Sequence, residues 1–406
     1  MQRLPYDEPD LPPFAPPPHA GACDTNSEFE TICAHFAEDR NALGGGASVP
    51  IFQSSTFVYP RMADFDARKS GDSNFWEYTR VGNPTTAILQ AKLAALEKGN
   101  WSFAMPSGMS AISAALNACL SAGDHVVALE RCYWPLTRYL RNYLPRFGVT
   151  ATLAAEATAD AVIATIQPNT KVIYLESPTS GTFDVLDLDP IIAVGKERGI
   201  ATIFDNSWAS PCFFNPLEHG IDMVVHSATK YIGGHSDVVA GVVVGRDEIW
   251  KRRVFREVEL VGGTIDPFAS WLLLRGLRTL GLRMERMRDN ALAVARLLEN
   301  HEKVRRVRHP GLESHPHYEL VQKYFTGTGS LFSFELTDQS KAAAFAFVDA
   351  LKLFSIGVSW GGHESLALAG EYFSDPNDPA WAIRLHCGLE SENDLLRDVE
   401  QALANV

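Results

Sequence analysis

The chain has 406 residues and a net charge of −13, with 46% hydrophobic and 21% charged residues. That length predicts more than one domain and a large core. The acidic balance excludes nucleic acid as the main partner, because no surplus of Lys and Arg exists to displace phosphate counterions. Lys251-Arg252-Arg253 and Arg305-Arg306 sit among carboxylates and read as solvated faces. No apolar run is long enough for a membrane span, and no signal peptide is expected from the acid- and proline-bearing start. The six cysteines, Cys23, Cys33, Cys119, Cys132, Cys212 and Cys387, lack C-x-x-C or metal-type spacing. They fit reduced thiols in a cytoplasmic protein, with no metal site.

In chain order, residues 1–25 are Pro-rich and predict a flexible or extended arm. From there to about Arg80 the chain reads as irregular, with turns at Gly44-Gly45-Gly46 and Gly71-Asp72-Ser73-Asn74. Such a segment is expected to lie on another surface, as in a contact with a second subunit.

The middle of the chain alternates between helical and strand patterns. Ile112, Ala115, Leu116, Cys119 and Leu120 form one apolar stripe of a helix that is expected to end at Gly123. Short apolar runs follow at His125–Leu129, 171–175, 201–204, 223–225 and 242–244, with a helix-length segment at 187–198. Buried strands joined by helices predict a mostly parallel sheet covered on both faces. Beyond Ser270, Leu273, Leu277, Leu280, Met284, Met287 and Leu292 predict a long helical stretch to about Leu298. A strand near 330–336, a helix near 341–351, and a strand and helix within 381–403 complete a smaller α/β domain. The expected division is an N-terminal arm at 1–82, a large domain at 83–275 and a small domain at 276–406.

Ligands of open parallel sheets collect beyond the carboxyl ends of the strands. Three runs end in polar clusters there: Glu176-Ser177-Pro178, Asp205-Asn206-Ser207-Trp208 and Ser227-Ala228-Thr229-Lys230. Pro106-Ser107-Gly108-Met109-Ser110 precedes the amphipathic helix, where free amides and a glycine make an anion site. His226 and His235 flank the lysine without metal-like partners, and Gly262-Gly263 belongs to no nicotinamide fingerprint.

The segment His226-Ser227-Ala228-Thr229-Lys230-Tyr231-Ile232-Gly233-Gly234 resembles the lysine signature of the pyridoxal-phosphate enzymes of cysteine and methionine metabolism. Tyr78-Thr79-Arg80-Val81-Gly82-Asn83-Pro84-Thr85, Ser359-Trp360-Gly361-Gly362 and Ile383-Arg384-Leu385 also resemble this trans-sulfuration family, and the likeness runs from about Ser48 to the end. The resemblance implies a fold-type I, aspartate aminotransferase-like α/β architecture and pyridoxal 5'-phosphate as cofactor. It implies that Lys230 forms a Schiff base with the cofactor and that Asp205 keeps the pyridine nitrogen protonated. Gly108, Met109, Ser227 and Thr229 would bind the phosphate, and Tyr133 would stack on the ring. Tyr78 and Arg80 would reach a neighbouring subunit's phosphate, implying a homodimer with shared sites within a homotetramer. Arg384 would grip the substrate carboxylate, with Ser359 and Trp360 lining the same pocket.

The expected reaction is α,β-elimination from cystathionine or a related thioether amino acid, with Lys230 moving the protons and Tyr133 assisting. Many γ-acting relatives carry glutamate before the serine of S-x-G-G, where this chain has Val358. They also often have leucine after it, whereas Trp360 matches bacterial cystathionine β-lyases. His363 lies in the same variable motif and is a candidate for specificity. The alternatives are a γ-lyase or γ-synthase and, more distantly, a non-catalytic binder with the same pocket.

Overall fold

The computed structural model describes residues 23–67, 76–375 and 377–406. The Pro-rich stretch through residue 22 and the expected turn at Gly71-Asp72-Ser73-Asn74 lie outside the described residues.

Seven strands form the larger sheet: β1 (Trp101–Met105), β2 (His125–Leu129), β3 (Thr150–Ala154), β4 (Thr170–Glu176), β5 (Ala201–Asp205), β6 (Met223–His226) and β7 (Gly241–Gly245). Their spatial order is β1-β7-β6-β5-β4-β2-β3. Strands β2 to β6 pair in parallel where they are neighbours, and β7 runs antiparallel to both β1 and β6. Every residue of β2, β5, β6 and β7 is buried, which explains continuous apolar runs without polar alternation. Helix Gly108–Asn117 packs on β6 and β7, and helix Leu188–Arg198 packs on β5.

The smaller sheet contains β8 (Val304–Arg308), β9 (Leu331–Leu336), β10 (Ser355–Ile356), β11 (Leu366–Gly370) and β12 (Ala382–His386), in the order β10-β11-β12-β9-β8. Phe332, Phe334, Phe347, Leu385, Leu395 and Val399 form its core with helices Lys341–Ala350 and Glu392–Leu403. Helix Leu280–Glu299 joins the two cores. Its Leu280, Met284 and Met287 belong to the larger, and Ala291, Val294 and Leu298 to the smaller.

Three local expectations differ from the structure, the first being the helix expected to end at Gly123, which ends at Asn117. The single helical stretch read from Leu273 onward is two helices, Pro267–Leu277 and Leu280–Glu299. They part where Gly276 lies against the Ile232 and Gly233 carbonyls, so close that a Cβ would sit 2.4–2.5 Å from them. The Gly276 carbonyl accepts from Thr279 Oγ1 and Arg283 Nη2. The stretch read as irregular before Arg80 contains helices Phe29–His35 and Met62–Ala67. The first is too short for periodicity to register, yet it buries Ile32 and Cys33. It is tied down by Lys92, whose Nζ donates to the Cys33 carbonyl at 3.0 Å and to Glu38 at 2.6 Å.

The topology brings the carboxyl ends of β4, β5 and β6 side by side. Glu176 pairs in register with Asp205, and Asp205 with Val225. The segments leaving these ends carry the polar clusters singled out in the sequence.

Candidate active site

Lys230 lies four residues beyond the end of β6. Its Nζ donates to Ser359 Oγ at 2.8 Å and stands 5.2 Å from the centre of the Trp360 ring. Burial, reinforced by the Arg384 guanidinium, lowers its pKa from 10.5 to about 8, against an opposing pull from Asp205. An amine with that pKa is substantially unprotonated in mildly alkaline solution and can attack a carbonyl.

The loop bearing Ser359 lies directly on the lysine's backbone. Gly361 has φ +83°, and a Cβ there would be 2.9 Å from both the Lys230 carbonyl carbon and the Tyr231 nitrogen. Only glycine suits both the conformation and the space. Arg384, on β12, donates from Nη2 to the carbonyls of Gly357, Val358 and Ser359 at 3.0–3.3 Å. Its guanidinium carbon lies over Phe373, 5.3 Å from the ring centre. Nε and Nη1 have no hydrogen-bond partner among the described residues, which leaves two parallel donors for a carboxylate. Burial lowers the Arg384 pKa to about 10, so the group is still a cation at neutral pH.

Asp205 is buried at the end of β5. One carboxylate oxygen accepts from the Tyr174 hydroxyl at 3.1 Å and the other from the Ser207 amide at 3.0 Å. Beside it, Glu176 accepts from the Tyr133 amide at 2.7 Å and from Ser180 Oγ at 2.5 Å. Burial first, then the neighbouring Asp205 charge, push the Glu176 carboxyl well above the ordinary carboxylate range. The same influences, burial foremost, raise the Tyr133 phenol, which is partly exposed at the mouth of the site.

An anion cradle forms at the start of helix Gly108–Asn117. Ser107 caps the helix by accepting from Ser110, while the Gly108 and Met109 amides have no acceptor among the described residues. A Cβ on Gly108 would come within 3.0–3.2 Å of Ser227, so the glycine allows the two segments to meet. Ser227 Oγ also has no partner among the described residues. Thr229 differs: its hydroxyl donates to the Ala240 carbonyl at 3.1 Å and accepts from the Ala240 amide at 2.9 Å. Two free amides and a free hydroxyl at a helix start, an amine of lowered pKa and a buried carboxylate match the phosphate, aldehyde and pyridine nitrogen of pyridoxal phosphate. The donor set fits the cofactor.

Tyr78 and Arg80 lie elsewhere in the contact network: the Arg80 carbonyl accepts from Thr264 Oγ1 at 2.7 Å. Arg80 Nη1 donates to the Glu259 carbonyl at 2.5 Å, and the pair lines a cleft with Gln53, Gly262, Thr264 and Asp266. No hydrogen bond, ion pair or ring contact among the described residues links either residue to Lys230, Asp205 or Ser227. His363 is exposed and lies 3.3 Å from Glu364. Among the described residues no cluster of ligating side chains suits a metal ion, and no helix is long and apolar enough to cross a membrane.

Sequence reasoning passed over several residues that shape the site: Tyr174, Tyr372, Phe373 and His386, together with the side-chain role of Glu176. Tyr372 donates to the Cys132 carbonyl at 2.8 Å, and its own carbonyl accepts from Arg131. These contacts join segments more than 200 residues apart and leave no local pattern. Only Glu176 had a signal, its place at a parallel strand's end.

The chain belongs to the Cys/Met metabolism PLP-dependent enzyme family, whose profile it matches over residues 30–404. It is therefore a pyridoxal-phosphate-dependent enzyme with the fold-type I α/β architecture. It is 37% identical to a cystathionine gamma-lyase of Bacillus subtilis over 93% of this chain and 99% of that one. It is 36% identical to the cystathionine beta-lyase MetC of Bacillus subtilis over 94% and 97% of the respective chains. The crystal structure of cystathionine gamma-lyase from Lactobacillus plantarum complexed with L-serine superposes with a TM-score of 0.87 at 34% identity, covering 94% of this chain and 99% of that one.

Proposed function

We propose that the protein is a carbon–sulfur lyase that carries out α,β-elimination on cystathionine or a related thioether amino acid, yielding a thiol, pyruvate and ammonia. The observation that carries this reading is the side chain at 358. Val358 precedes Ser359 at the mouth of the site, 83% exposed, and offers neither charge nor hydrogen bond to the far end of a substrate. Many γ-acting relatives have a glutamate there. Relatives of nearly equal identity carry γ-lyase and β-lyase names, so overall likeness does not choose between them.

In this reading Arg384 binds the α-carboxylate through Nε and Nη1, its position fixed by the three carbonyls on Nη2. The Gly108 and Met109 amides and Ser227 Oγ would hold the phosphate, and Asp205 would pair with the pyridine nitrogen. Bound pyridoxal phosphate supplies an electron sink for the charge left at the substrate's α-carbon. Lys230 Nζ takes the α-proton, and its lowered pKa suits an amine that must accept and return a proton near neutrality. Ser359 Oγ orients that nitrogen. Tyr133 keeps its phenolic proton and can donate it to the departing thiolate. A γ-lyase or γ-synthase needs a second proton abstraction, at the β-carbon.

Tyr78 and Arg80 complete the site of a second copy in this reading. Support comes from the apolar surface beside them, where Leu260 and Val261 are 77% and 76% exposed. Two such dimers would form the tetramer.

The test is a panel of cystathionine, cysteine, methionine and O-substituted homoserines, with products identified by mass spectrometry. Pyruvate and a thiol from the β-thioethers support the reading; efficient turnover confined to γ-substituted amino acids overturns it.

A further inference from the structure

The ring of His386 is fully buried, and both of its nitrogens are engaged. Nε2 accepts from the Gly361 amide at 3.0 Å and lies 3.2 Å from the Gly362 carbonyl. Nδ1 is 2.7 Å from Ser330 Oγ. Ser330 Oγ is 3.0 Å from the Tyr231 hydroxyl, and that hydroxyl accepts from the Ser330 amide at 2.7 Å. The Gly361 amide donates to Nε2, while Nδ1 meets Ser330 Oγ, a hydroxyl that can donate or accept.

Four segments thus meet on one imidazole: β12, the Ser359–Gly362 loop, the residue before β9, and Tyr231, which follows Lys230. Arg384 and His386 stand two apart on β12 and so share one face of the strand. Arg384 holds the loop by the carbonyls of 357–359, and His386 holds it by the amide of 361. Between the two grips lies Ser359, the partner of Lys230 Nζ.

We propose that His386 is a positioning residue that fixes the Ser359–Gly362 loop against Tyr231, thereby setting the Lys230–Ser359 hydrogen bond and freeing Arg384 Nε and Nη1 for the substrate. The inference rests on the reading of Lys230, Ser359 and Arg384 as the reacting site, but not on which bond is cleaved. Burial lowers the His386 pKa to about 4, against the hydrogen bond with the Gly362 carbonyl. The charged groups facing the ring are Lys230, Arg384 and Glu364, of which the two cations lower it further and Glu364 opposes them. The ring is therefore neutral near and above neutral pH.

The experiment compares native holoenzyme with His386→Asn, His386→Gln and Ser330→Ala. Each is checked for its melting temperature and for the visible absorbance of bound cofactor, and assayed on whichever substrate the native enzyme turns over best. Asn can keep a partner for Ser330 but does not reach Gly361, so KM rises about tenfold, equivalent to about 1.4 kcal/mol. The pH midpoint of the cofactor's visible band shifts in the same variant, because the surroundings of Lys230 loosen. Gln places an amide oxygen near the Nε2 position and recovers most of both effects. Ser330→Ala lies between native and Asn. Native KM and midpoint in the folded, cofactor-loaded Asn variant overturn the proposal. So does a loss of activity that follows melting temperature alone and is equal in Asn and Gln. An enzyme that prefers γ-cleavage but shows the predicted shifts overturns only the β-elimination reading.

Discussion

Lys230 Nζ and Ser359 Oγ lie 2.8 Å apart across 129 residues of sequence. Lys230 lies between β6 and β7 of the larger sheet, and Ser359 between the edge strand β10 and β11 of the smaller. The hydrogen bond therefore spans the seam between the two cores, where the substrate is expected to sit. Any change that shifts one core on the other is felt first at this pair.

Lys230→Ala removes the group assigned both to cofactor attachment and to proton transfer. Activity should fall by at least about 10²–10⁴-fold, the range for loss of a positioned acid–base group. Borohydride treatment of the native enzyme should fix the cofactor to the peptide containing Lys230. A Lys230→Ala protein with native activity, or cofactor fixed to another peptide, contradicts the assignment.

Arg384→Lys keeps a positive charge but loses the two-pronged donor geometry. One charge-assisted hydrogen bond is worth about 1.5–3 kcal/mol, so kcat/KM should fall roughly 10- to 100-fold, with most of the change in KM. Steady-state kinetics check this, and an unchanged KM excludes Arg384 as the carboxylate ligand.

The lysine's depressed pKa makes a pH prediction for cofactor-free protein. Folded Lys230 titrates near 8, and the unfolded chain's lysine near 10.5. Below pH 8 both forms are protonated, and the folded state bears the full cost of a buried ammonium. Between 8 and 10.5 the unfolded state binds more protons, so stability rises with pH until the cost is gone. Lys230→Met should therefore stabilise the cofactor-free fold by about 2–3 kcal/mol at pH 7, with the advantage fading toward pH 10.5. Urea denaturation at several pH values measures it; an advantage independent of pH refutes the assigned shift. Uptake of pyridoxal phosphate should also accelerate with pH, with a midpoint near 8.

Much of the architecture was legible because buried parallel strands need apolar residues on both faces. The runs at His125–Leu129 and Met223–Val225 could hardly be read otherwise. Other strands gave weaker signals. β3, Thr150–Ala154, lies at a sheet edge and is mostly unburied, so nothing demanded branched apolar residues. β8 reads Val-Arg-Arg-Val-Arg because its arginines pair with Glu335 and Asp378. The polar residues of the site stood out where they followed a buried run, as Asp205 and Lys230 do. His386 and Phe373 did not, since their meaning depends on Gly361 and Arg384, which only the tertiary fold brings near.

If Tyr78 and Arg80 serve a neighbouring subunit, two inactive proteins should complement one another. Mixing Arg80→Ala with Lys230→Ala under subunit exchange creates hybrid dimers in which one of two sites is intact. With random exchange, half the dimers are hybrids, so recovery should approach about a quarter of native specific activity. No recovery despite demonstrated exchange, or full activity in a strictly monomeric native preparation, contradicts a shared site.

The central claim is cleavage at the β-carbon, and the keto acid formed from cystathionine tests it most directly. β-Elimination releases pyruvate with homocysteine and ammonia, whereas γ-elimination releases 2-oxobutyrate with cysteine and ammonia. Initial-rate product analysis by mass spectrometry distinguishes them in one reaction. β-Cleavage yields predominantly pyruvate and homocysteine; predominant 2-oxobutyrate and cysteine exclude it.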